Sequence, residues 1–202
     1  SNMYQWQLQS AKQRFGNWIV MLYDSNIEEN KELKNHPYLN ESGKASIDNY
    51  VYEEGECTDI KVGYMTDEFL RIGNISLQCG RMPEKDDEAA IEWDSLIKLN
   101  QGTQIGQEIH IEVRQGSSQT TETIEKTYKL TGILTNYTNV WNGGEYIPGI
   151  VVTEGEGEAV NRIGKAAYIY SSNNYINNYR DIYDGLVKKT HKELIYNSEG
   201  SF

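Results

Sequence analysis

The sequence predicts an α+β fold, with a mixed α/β core of strand-helix units, an inserted small β-subdomain, and a helix at each end of the chain. Apolar residues recur at helical spacing near both ends. Between them, short apolar runs are followed by capping residues, which is typical of strand-helix units. From residue 102 to residue 134, apolar and polar residues alternate, which indicates β-strands.

The first predicted element is a helix. Four apolar residues fall on one face of this helix: Tyr4, Leu8, Ala11 and Phe15. Gly16 then favours a helix end. The run from Trp18 to Tyr23 is continuous and apolar, which predicts a strand buried on both faces. A second helix is predicted from Ile27 to about Lys34, and Pro37 prevents its extension.

Two further strand-helix units are predicted before residue 101. Residues alternate from Ile60 to Tyr64, and Thr66 or Asp67 can cap a short helix over residues 68–71. A short strand over Glu88–Glu92 then precedes a helix that ends near residue 99 and that Asp94 can cap.

The second half of the chain begins with a predicted long β-hairpin. Its two strands are the alternating stretches Ile109–Val113 and Ile124–Leu134, joined by a polar loop over residues 115–121. Residues 149–152 and 167–170 are strand candidates, and residues 154–158 indicate an exposed acidic turn. Five apolar residues predict one face of a closing helix: Ile176, Tyr179, Tyr183, Leu186 and Leu194.

These elements predict four parts of the chain. Residues 1–3 are the start, where Ser1-Asn2 before Met3 indicates the remnant of a removed affinity tag. Residues 4–101 form the first part of the core, and residues 102–135 form the inserted β-subdomain. Residues 136–202 complete the core and carry the closing helix.

Charge and hydropathy exclude several classes of protein. The chain has 202 residues and a net charge of −11, which argues against nucleic acid as a partner and disfavours anionic lipid surfaces. No apolar run approaches the roughly 18 residues needed to cross a bilayer, so the sequence as written predicts a soluble chain. The two cysteines, Cys57 and Cys79, have no metal-binding spacing, and two free thiols are favoured over one disulfide.

The carboxylates and histidines are the candidates for catalysis. Glu92 with Asp94, or Asp181 with Asp184, are the possible pairs for a glycoside hydrolase, but capping and surface roles are favoured for them. The three histidines are far apart and form no zinc or nucleophile pattern: His36, His110 and His191. No phosphate-binding GxxxxGK[ST] loop occurs. We therefore expect no enzyme activity, no cofactor and no metal.

The loop over residues 136–146 is the best candidate for a partner surface. Three aromatic residues lie there among amides and glycines: Tyr137, Trp141 and Tyr146. Such a composition suits stacking on a carbohydrate or contact with a protein. The alternative, which we favour, is that these rings fold back onto the core.

Four segments in order resemble the periplasmic core domain of MacB/FtsX-like ABC permeases. They are the turn Gly80-Arg81-Met82-Pro83, the strand beginning Glu88-Ala89-Ala90-Ile91, the segment Gly106-Gln107-Glu108-Ile109, and the strand from Tyr128 to Leu134. The turn itself is interpreted as a structural brace, in which Arg81 donates to carbonyls or to carboxylates such as Glu84, Asp86 or Glu88. A ligand-binding Arg81 is the less favoured alternative.

This resemblance implies the extracytoplasmic domain of a membrane permease, extracellular or periplasmic, with no catalytic residue. It implies that the domain joins transmembrane helices of the same chain, through the first and closing helices, and couples their ATP-driven motion to an external peptide, lipid or protein. A separate cytoplasmic ATPase and a permease homodimer are implied as well. The alternatives are a secreted carbohydrate- or peptide-binding module and, less favoured, a carboxylate-based hydrolase.

Overall fold

The computed structural model describes residues 2–25, 33, 35–116, 122–172, 184–186 and 194–197. These residues form two β-sheets with helices packed against them. The helices are α1 (Asn2–Phe15), α2 (Asp67–Gly73), α3 (Trp93–Leu99) and α4 (Glu154–Val160), with a 3-10 turn at Gly144–Tyr146. The strands are β1 (Val20–Ser25), β2 (Ser42–Ile47), β3 (Asn49–Glu53), β4 (Glu56–Gly63), β5 (Leu77–Gly80), β6 (Glu88–Glu92), β7 (Glu108–Arg114), β8 (Thr123–Leu134), β9 (Ile150–Val151), β10 (Lys165–Tyr170) and β11 (Leu194–Tyr196). The α+β class predicted from the sequence is confirmed.

The smaller sheet is antiparallel and has the order β11-β1-β10-β2. Strand β1 lies inside it, with Val20 paired to both Tyr170 of β10 and Tyr196 of β11. The residues from Trp18 to Leu22 are all buried. The continuous apolar run therefore predicted a buried strand correctly, although the strand begins two residues later, at Val20.

The larger sheet has the order β5-β8-β6-β9-β4-β3-β7, and β7 also pairs with β8. Six of its strands therefore form a closed ring, from which β5 extends. The 12 residues of β8 make this possible, because its first half pairs with β7 and its second half pairs with β6 and β5. The inward-facing side chains of β7 are fully buried: Ile109, Ile111 and Val113.

The predicted hairpin is present as β7 and β8, and its strands belong to this larger sheet. Ile111 of β7 and Leu130 of β8 lie in the same hydrophobic cluster as Ile91 of β6 and Val62 of β4. The division of the chain into separate domains stays a prediction. A second cluster lies between the two sheets and contains Met21 of β1 and Val151 of β9.

Helix α2 begins as predicted, and α3 does not. Thr66 caps α2 by accepting a bond from the amide of Phe69 at 3.2 Å. The cap position of α3 is Glu92 instead of Asp94, and Asp94 lies in the first turn. The amide of Asp94 donates to the side chain of Asn136 at 2.9 Å, so a residue distant in sequence satisfies it.

The acidic segment 154–158 is helical, so the prediction of an exposed turn is wrong. Thr153 caps α4 by accepting a bond from the amide of Glu156 at 3.2 Å. Glu156 is buried, and the cost of burying its charge is offset by Lys126 at 3.1 Å and by a hydrogen bond from the hydroxyl of Tyr128. Acidic residues also stabilise the first turn of a helix through its dipole.

The closing helix is only partly as predicted. Leu186 is helical and buried, but Leu194 lies in strand β11, paired with Leu22 of β1. The short apolar run 194–196 pairs with the edge of β1 that β10 leaves open. Residue 194 is therefore in a strand, although its spacing from the preceding apolar residues predicted a helix. Most of the predicted closing helix, and of the helix from Ile27 to Lys34, lies outside the described residues.

Candidate functional site

The last turn of α1 is held by side chains from distant parts of the chain. The final carbonyl groups of an α-helix have no partner within the helix. In α1, the carbonyl of Lys12 accepts a bond from the amide of Gly16 at 2.9 Å and a second bond from Asn74 Nδ2 at 2.8 Å. The carbonyl of Arg14 accepts a bond from the indole Nε1 of Trp141 at 3.2 Å. The helix end is therefore fixed both to the residue after α2 and to the loop before β9.

Asn197, which lies near the other end of the sequence, also binds the end of α1. Its buried Nδ2 lies within hydrogen-bonding distance of three carbonyl oxygens, those of Phe15 at 3.2 Å, Gly16 at 3.3 Å and Trp18 at 2.9 Å. Its backbone amide donates to the carbonyl of Ile19 at 3.0 Å. We name three side chains together the helix anchor: Asn74, Trp141 and Asn197.

Gly16 allows the chain to turn sharply from α1 into β1. It has a φ of +89°, and a Cβ atom placed on it would lie 2.5 Å from the indole of Trp18. The next amide, of Asn17, donates to the carbonyl of Ile72 in α2 at 2.7 Å. The helix end predicted from this glycine is confirmed. The turn brings the backbone of Asn17 into hydrogen-bonding contact with α2.

The anchor brings the first and last described segments of the chain together. Strand β1, which follows α1, pairs with β11 through Leu22 and Leu194. Asn197 comes directly after β11 and is 179 residues from Trp18, to which it is bonded. These two segments therefore lie side by side and are joined by hydrogen bonds.

Three aromatic rings pack around Trp141 of the helix anchor. The ring of Trp141 lies 5.5 Å from that of Trp18, 5.9 Å from that of Phe69 and 6.2 Å from that of Tyr137, centre to centre. Gly73 makes room for it, because a Cβ atom there would lie 2.6 Å from the indole of Trp141. Trp141 is therefore both a core residue and a hydrogen-bond donor to α1.

Glu92 holds the loop that carries Trp141. Its carboxylate accepts bonds from the amides of Tyr137 at 2.8 Å and Thr138 at 2.6 Å, the hydroxyl of Thr138 at 2.6 Å and the hydroxyl of Ser95 at 2.9 Å. Four donors satisfy a carboxylate that is completely buried. A substrate has no access to it, so Glu92 is not the acid or base of a hydrolase. Of the other candidates, Asp184 is exposed and Asp181 lies outside the described residues.

The structure buries two of the three aromatic residues of the predicted partner surface, while Asn142 of the same loop is exposed. Tyr137 and Trp141 are buried, and the hydroxyl of Tyr137 donates to the carbonyl of Pro148 at 2.7 Å. Burial raises the pKa of Tyr137 well above its usual value. Tyr146 is half-buried and stacks on Tyr23, with ring centres 4.2 Å apart. These rings fold back onto the core, which is the interpretation that we favoured from the sequence.

An ion pair joins Arg81 of the Gly80-Arg81-Met82-Pro83 turn to Glu88, the first residue of β6. Two bonds join them, Nη2 to Oε2 at 2.5 Å and Nη1 to Oε1 at 3.0 Å. Glu88 Oε1 also accepts bonds from the amides of Glu84 and Lys85, each at 3.0 Å. The hydrogen bonds from Arg81, and then those from the two amides, lower the pKa of Glu88 to about 2.

Gly80 and Pro83 complete this turn. Gly80 has a φ of +79°, and a Cβ atom on it would lie 2.1 Å from the carbonyl oxygen of Thr131. That carbonyl accepts a bond from the amide of Arg81 at 2.8 Å. Pro83 is half-buried. Of the acceptors proposed for Arg81, Glu88 is bonded, Glu84 lies 3.9 Å away, and Asp86 accepts a bond from Thr153 instead.

A groove of about 750 Å³ lies beside the helix anchor. Gln13 and Arg14 of α1 form one wall, and Arg71, Asn74 and Trp141 contribute to the other. Its described lining contains hydroxyls, amides and guanidinium groups, and no carboxylate. Such a lining can bind polar groups by hydrogen bonds but offers no acid-base pair.

Other candidate residues do not assemble into a reactive centre. Cys57 and Cys79 are free and exposed. His110 lies 3.6 Å from Glu108 and 3.5 Å from Glu125 on the exposed face of the β7–β8 hairpin. Across the described ranges, no group of three or more His, Cys, Asp or Glu residues is placed to hold a metal ion. In the same part of the chain, no helix has the length and hydropathy to cross a membrane.

Sequence reasoning missed two members of the helix anchor. Asn74 has a left-handed φ of 52° directly after Gly73, so the Gly-Asn pair was a readable signal for a helix end. The carbonyl to which it donates, that of Lys12, lies 62 residues away and has no local signature. Asn197 has no sequence signal, because its side chain binds backbone carbonyls, which every residue has.

Comparison with known proteins gives structural neighbours only. No family model matches the chain, and no curated protein matches it. One similar solved structure is the periplasmic region of MacB from Actinobacillus actinomycetemcomitans, with 8% identity, a TM-score of 0.47 and coverage of 94% of each chain. Another is the extracellular domain of the noncanonic ABC-type transporter YknZ from Gram-positive bacteria, with 13% identity, a TM-score of 0.47, and coverage of 88% of this chain and 90% of that one.

Proposed function

We propose that this chain is the extracytoplasmic domain of an ABC-type permease and that it transmits motion from membrane helices to an external partner. The observation that carries the proposal is the helix anchor, through which Asn197 binds the carbonyls at the end of α1. A domain inserted between two membrane helices needs its entry and exit segments close together. The pairing of β1 with β11 provides this closeness.

The anchor suits the transmission of force. The donors of Asn74, Trp141 and Asn197 lie 62, 127 and 182 residues from the carbonyls of Lys12, Arg14 and Phe15 that they bind. A displacement of α1 is therefore shared at once by α2, the loop before β9 and the segment after β11. If α1 is to move the whole domain as one rigid body, the joint between them must be stiff, because a flexible joint would absorb the motion.

The chain does no chemistry in this proposal. The buried carboxylates of Glu88, Glu92 and Glu156 are satisfied by internal donors. ATP is bound and hydrolysed by a separate cytoplasmic subunit, and two permease chains form the working dimer. The external partner is a peptide, a lipid or a protein.

Cell fractionation tests the location. We expect the natural full-length protein to be recovered in the membrane fraction and its domain to be cleaved by protease added to intact cells or, in a double-membrane organism, to spheroplasts. Recovery from the culture medium without a membrane-bound form would contradict the proposal and favour a secreted binding module.

A distance measurement tests the transmission of motion. Spin labels at Cys57 and at Gln5→Cys, with other cysteines replaced by serine, report on α1 relative to the larger sheet in the full-length permease with its ATPase. We expect one narrow distance distribution with and without ATP. In the double variant N74A/W141F, which removes two anchor bonds and keeps an aromatic ring, the distribution should broaden, and in the control N142A it should not. A broad distribution in the unmodified protein would contradict rigid coupling.

A further inference from the structure

The groove beside the helix anchor adjoins a second depression. The first has a volume of about 750 Å³ and the second a volume of about 340 Å³. Three residues line both depressions: Ser10, Gln13 and Asn74. Each volume falls within the usual range of ligand sites, roughly 300–1,000 Å³. We name the two depressions together the anchor groove.

The charge of the anchor groove is opposite to that of the chain. Arg14 and Arg71 line the larger depression, and Lys12 lines the smaller one. No acidic residue lies among the described lining residues, although the chain has 30 acidic and 19 basic residues. The anchor groove is therefore a cationic strip on an acidic protein, and it attracts anionic ligands.

Both guanidinium groups in the larger depression have donors for a ligand. Arg71 is exposed, and its Nη1 donates to Glu41 at 2.7 Å. Arg14 is exposed too, and its Cζ lies 5.4 Å from the ring centre of Phe15. A guanidinium carries five N–H donors, so neither contact uses all of them. Each group can therefore bind a carboxylate, for which its planar shape provides two parallel bonds.

The helix anchor fixes the walls of this groove. Asn74 donates to the carbonyl of Lys12 and Trp141 donates to the carbonyl of Arg14, so the basic side chains of α1 project from a turn that is held in place. Trp141 and Tyr137, which also line the larger depression, are buried. Because the walls are already ordered, binding of a ligand costs little further ordering of the protein.

The polar groups of the anchor groove favour an extended peptide over a single ion. The three cations are divided between two depressions, so they do not surround one point. The amide side chains of Gln13 and Asn74, which line both depressions, carry donors and an acceptor. A peptide backbone offers the matching N–H and C=O groups, whereas phosphate groups offer acceptors only.

We infer that the anchor groove binds an extended acidic segment of a polypeptide, with Arg14 and Arg71 on its carboxylate side chains and Gln13 on its backbone. This inference rests on the proposed function only in taking that polypeptide as the external partner. It gives the partner a chemical character and a place on the domain.

Peptide titration tests whether the ligand is recognised by its charge. The probe is an acetylated and amidated hexapeptide in which glutamate alternates with glycine, and the comparison peptide has glutamine in place of glutamate. Calorimetry with the 202-residue chain should show binding of the glutamate peptide at least about tenfold tighter, because charged hydrogen bonds are the stronger ones. Added salt should weaken this binding, since it screens exposed charges.

Two double variants test whether the two arginines are responsible. R14Q/R71Q should weaken binding of the glutamate peptide by about tenfold or more, because it removes two charged donors. The matched control is K85Q/K165Q, which loses the same charge at two exposed lysines outside the groove lining. The control should bind nearly as well as the unmodified protein. Circular dichroism verifies that both variants are folded.

Nuclear magnetic resonance locates the bound peptide. A nitroxide attached to the glutamate peptide broadens the signals of nearby backbone amides. We expect the strongest broadening at Gln13, Asn74 and Ser76, which line the anchor groove, and weak broadening in β7, which does not.

Four outcomes would overturn the inference. They are equal binding of the glutamate and glutamine peptides, equal loss of binding in the two double variants, and strongest broadening outside the anchor groove. The fourth is tighter binding of a galacturonate oligomer than of the glutamate peptide, weakened by R14Q/R71Q, which would assign the groove to an acidic sugar.

The proposed function is tested separately by cell fractionation. Failure of peptide binding, with the full-length protein still in the membrane fraction, contradicts this inference alone. Recovery of that protein from the medium, with peptide binding retained, contradicts the proposed function alone.

Discussion

The side-chain amide of Asn197 donates a hydrogen bond to the carbonyl of Trp18 at 2.9 Å, which joins residues 179 positions apart in the sequence. The same amide lies close to the carbonyls of Phe15 and Gly16. One side chain thus connects the end of the first helix, the turn after it and the segment that follows the last described strand. The stability of this joint can be measured residue by residue.

Replacing Asn197 with Asp should destabilise the protein. Aspartate has nearly the same shape but no donor, and its charge would face three carbonyl oxygens in a buried position. We expect the free energy of unfolding, measured with urea at pH 7, to fall by about 2–3 kcal/mol. The control is N142D, because Asn142 is exposed and donates to the nearby carbonyl of Tyr196 at 3.2 Å. A loss for N197D no larger than the control's would show that Asn197 does not hold the joint.

Gly73 should not tolerate alanine, although alanine is the better helix former. A Cβ atom there would lie 2.6 Å from the indole of Trp141, and the packed cluster around that ring cannot easily give way. We expect G73A to lower the free energy of unfolding by about 1–3 kcal/mol. G185A is the matched control, because Gly185 is helical and a Cβ atom on it would meet no atom of the other described residues within 4 Å outside its own helix. Hydrogen exchange at Lys12 to Asn17 should accelerate in G73A only.

Asp48 should make the protein less stable as the pH rises. It is completely buried, its Oδ1 accepts a bond from Ser46 at 2.8 Å, and its Oδ2 has no hydrogen-bond partner among the described residues. Burial raises the pKa of Asp48 from 3.8 to about 6. Because the folded state binds the proton more tightly, this contribution to stability is complete below pH 3.8 and is lost as the pH rises through 6.

D48N therefore tests the role of this carboxyl group. The variant should be more stable than the unmodified protein at pH 7, by roughly 2–3 kcal/mol, because an amide has no charge to bury. The difference should shrink toward pH 4. The control D87N alters an exposed aspartate, and its unfolding curve should follow that of the unmodified protein across this range. A D48N difference that does not change with pH would contradict the assignment.

The ion pair of Arg81 and Glu88 should show the opposite pH dependence. The pKa of Glu88 is lowered to about 2, chiefly by its hydrogen bonds to Arg81, so its contribution is present above pH 4.5 and is lost as the pH falls through 2. E88Q should therefore lower the melting temperature at pH 7, with the difference disappearing near pH 2. E84Q is the control, since Glu84 is exposed and lies 3.9 Å from Arg81. Equal melting temperatures of E88Q and the unmodified protein at pH 7 would refute this role.

Local patterns explain which elements could be predicted. The run from Trp18 to Tyr23, the cap at Thr66 and the alternation in β7 are signals within a few residues, and each produced the expected element. The acidic segment 154–158 was wrongly predicted because its composition resembles a turn. Its helix depends on a cap at Thr153 and on burial of Glu156 against Tyr128, 28 residues earlier.

Signals over short stretches of sequence were enough to specify the α+β class, most strands and helices of the core, and the pairing partners available to Arg81 in its own turn. These follow from hydrophobic periodicity, capping and charge over short distances. Three outcomes required the folded chain: the burial of Tyr137 and Trp141, the place of Leu194 in a strand, and the contact of Asn197 with the end of α1. They depend on backbone carbonyls and on open sheet edges. Every residue has a backbone carbonyl, and a sheet edge exists only in the folded chain, so no residue pattern shows which carbonyl or which edge will be used.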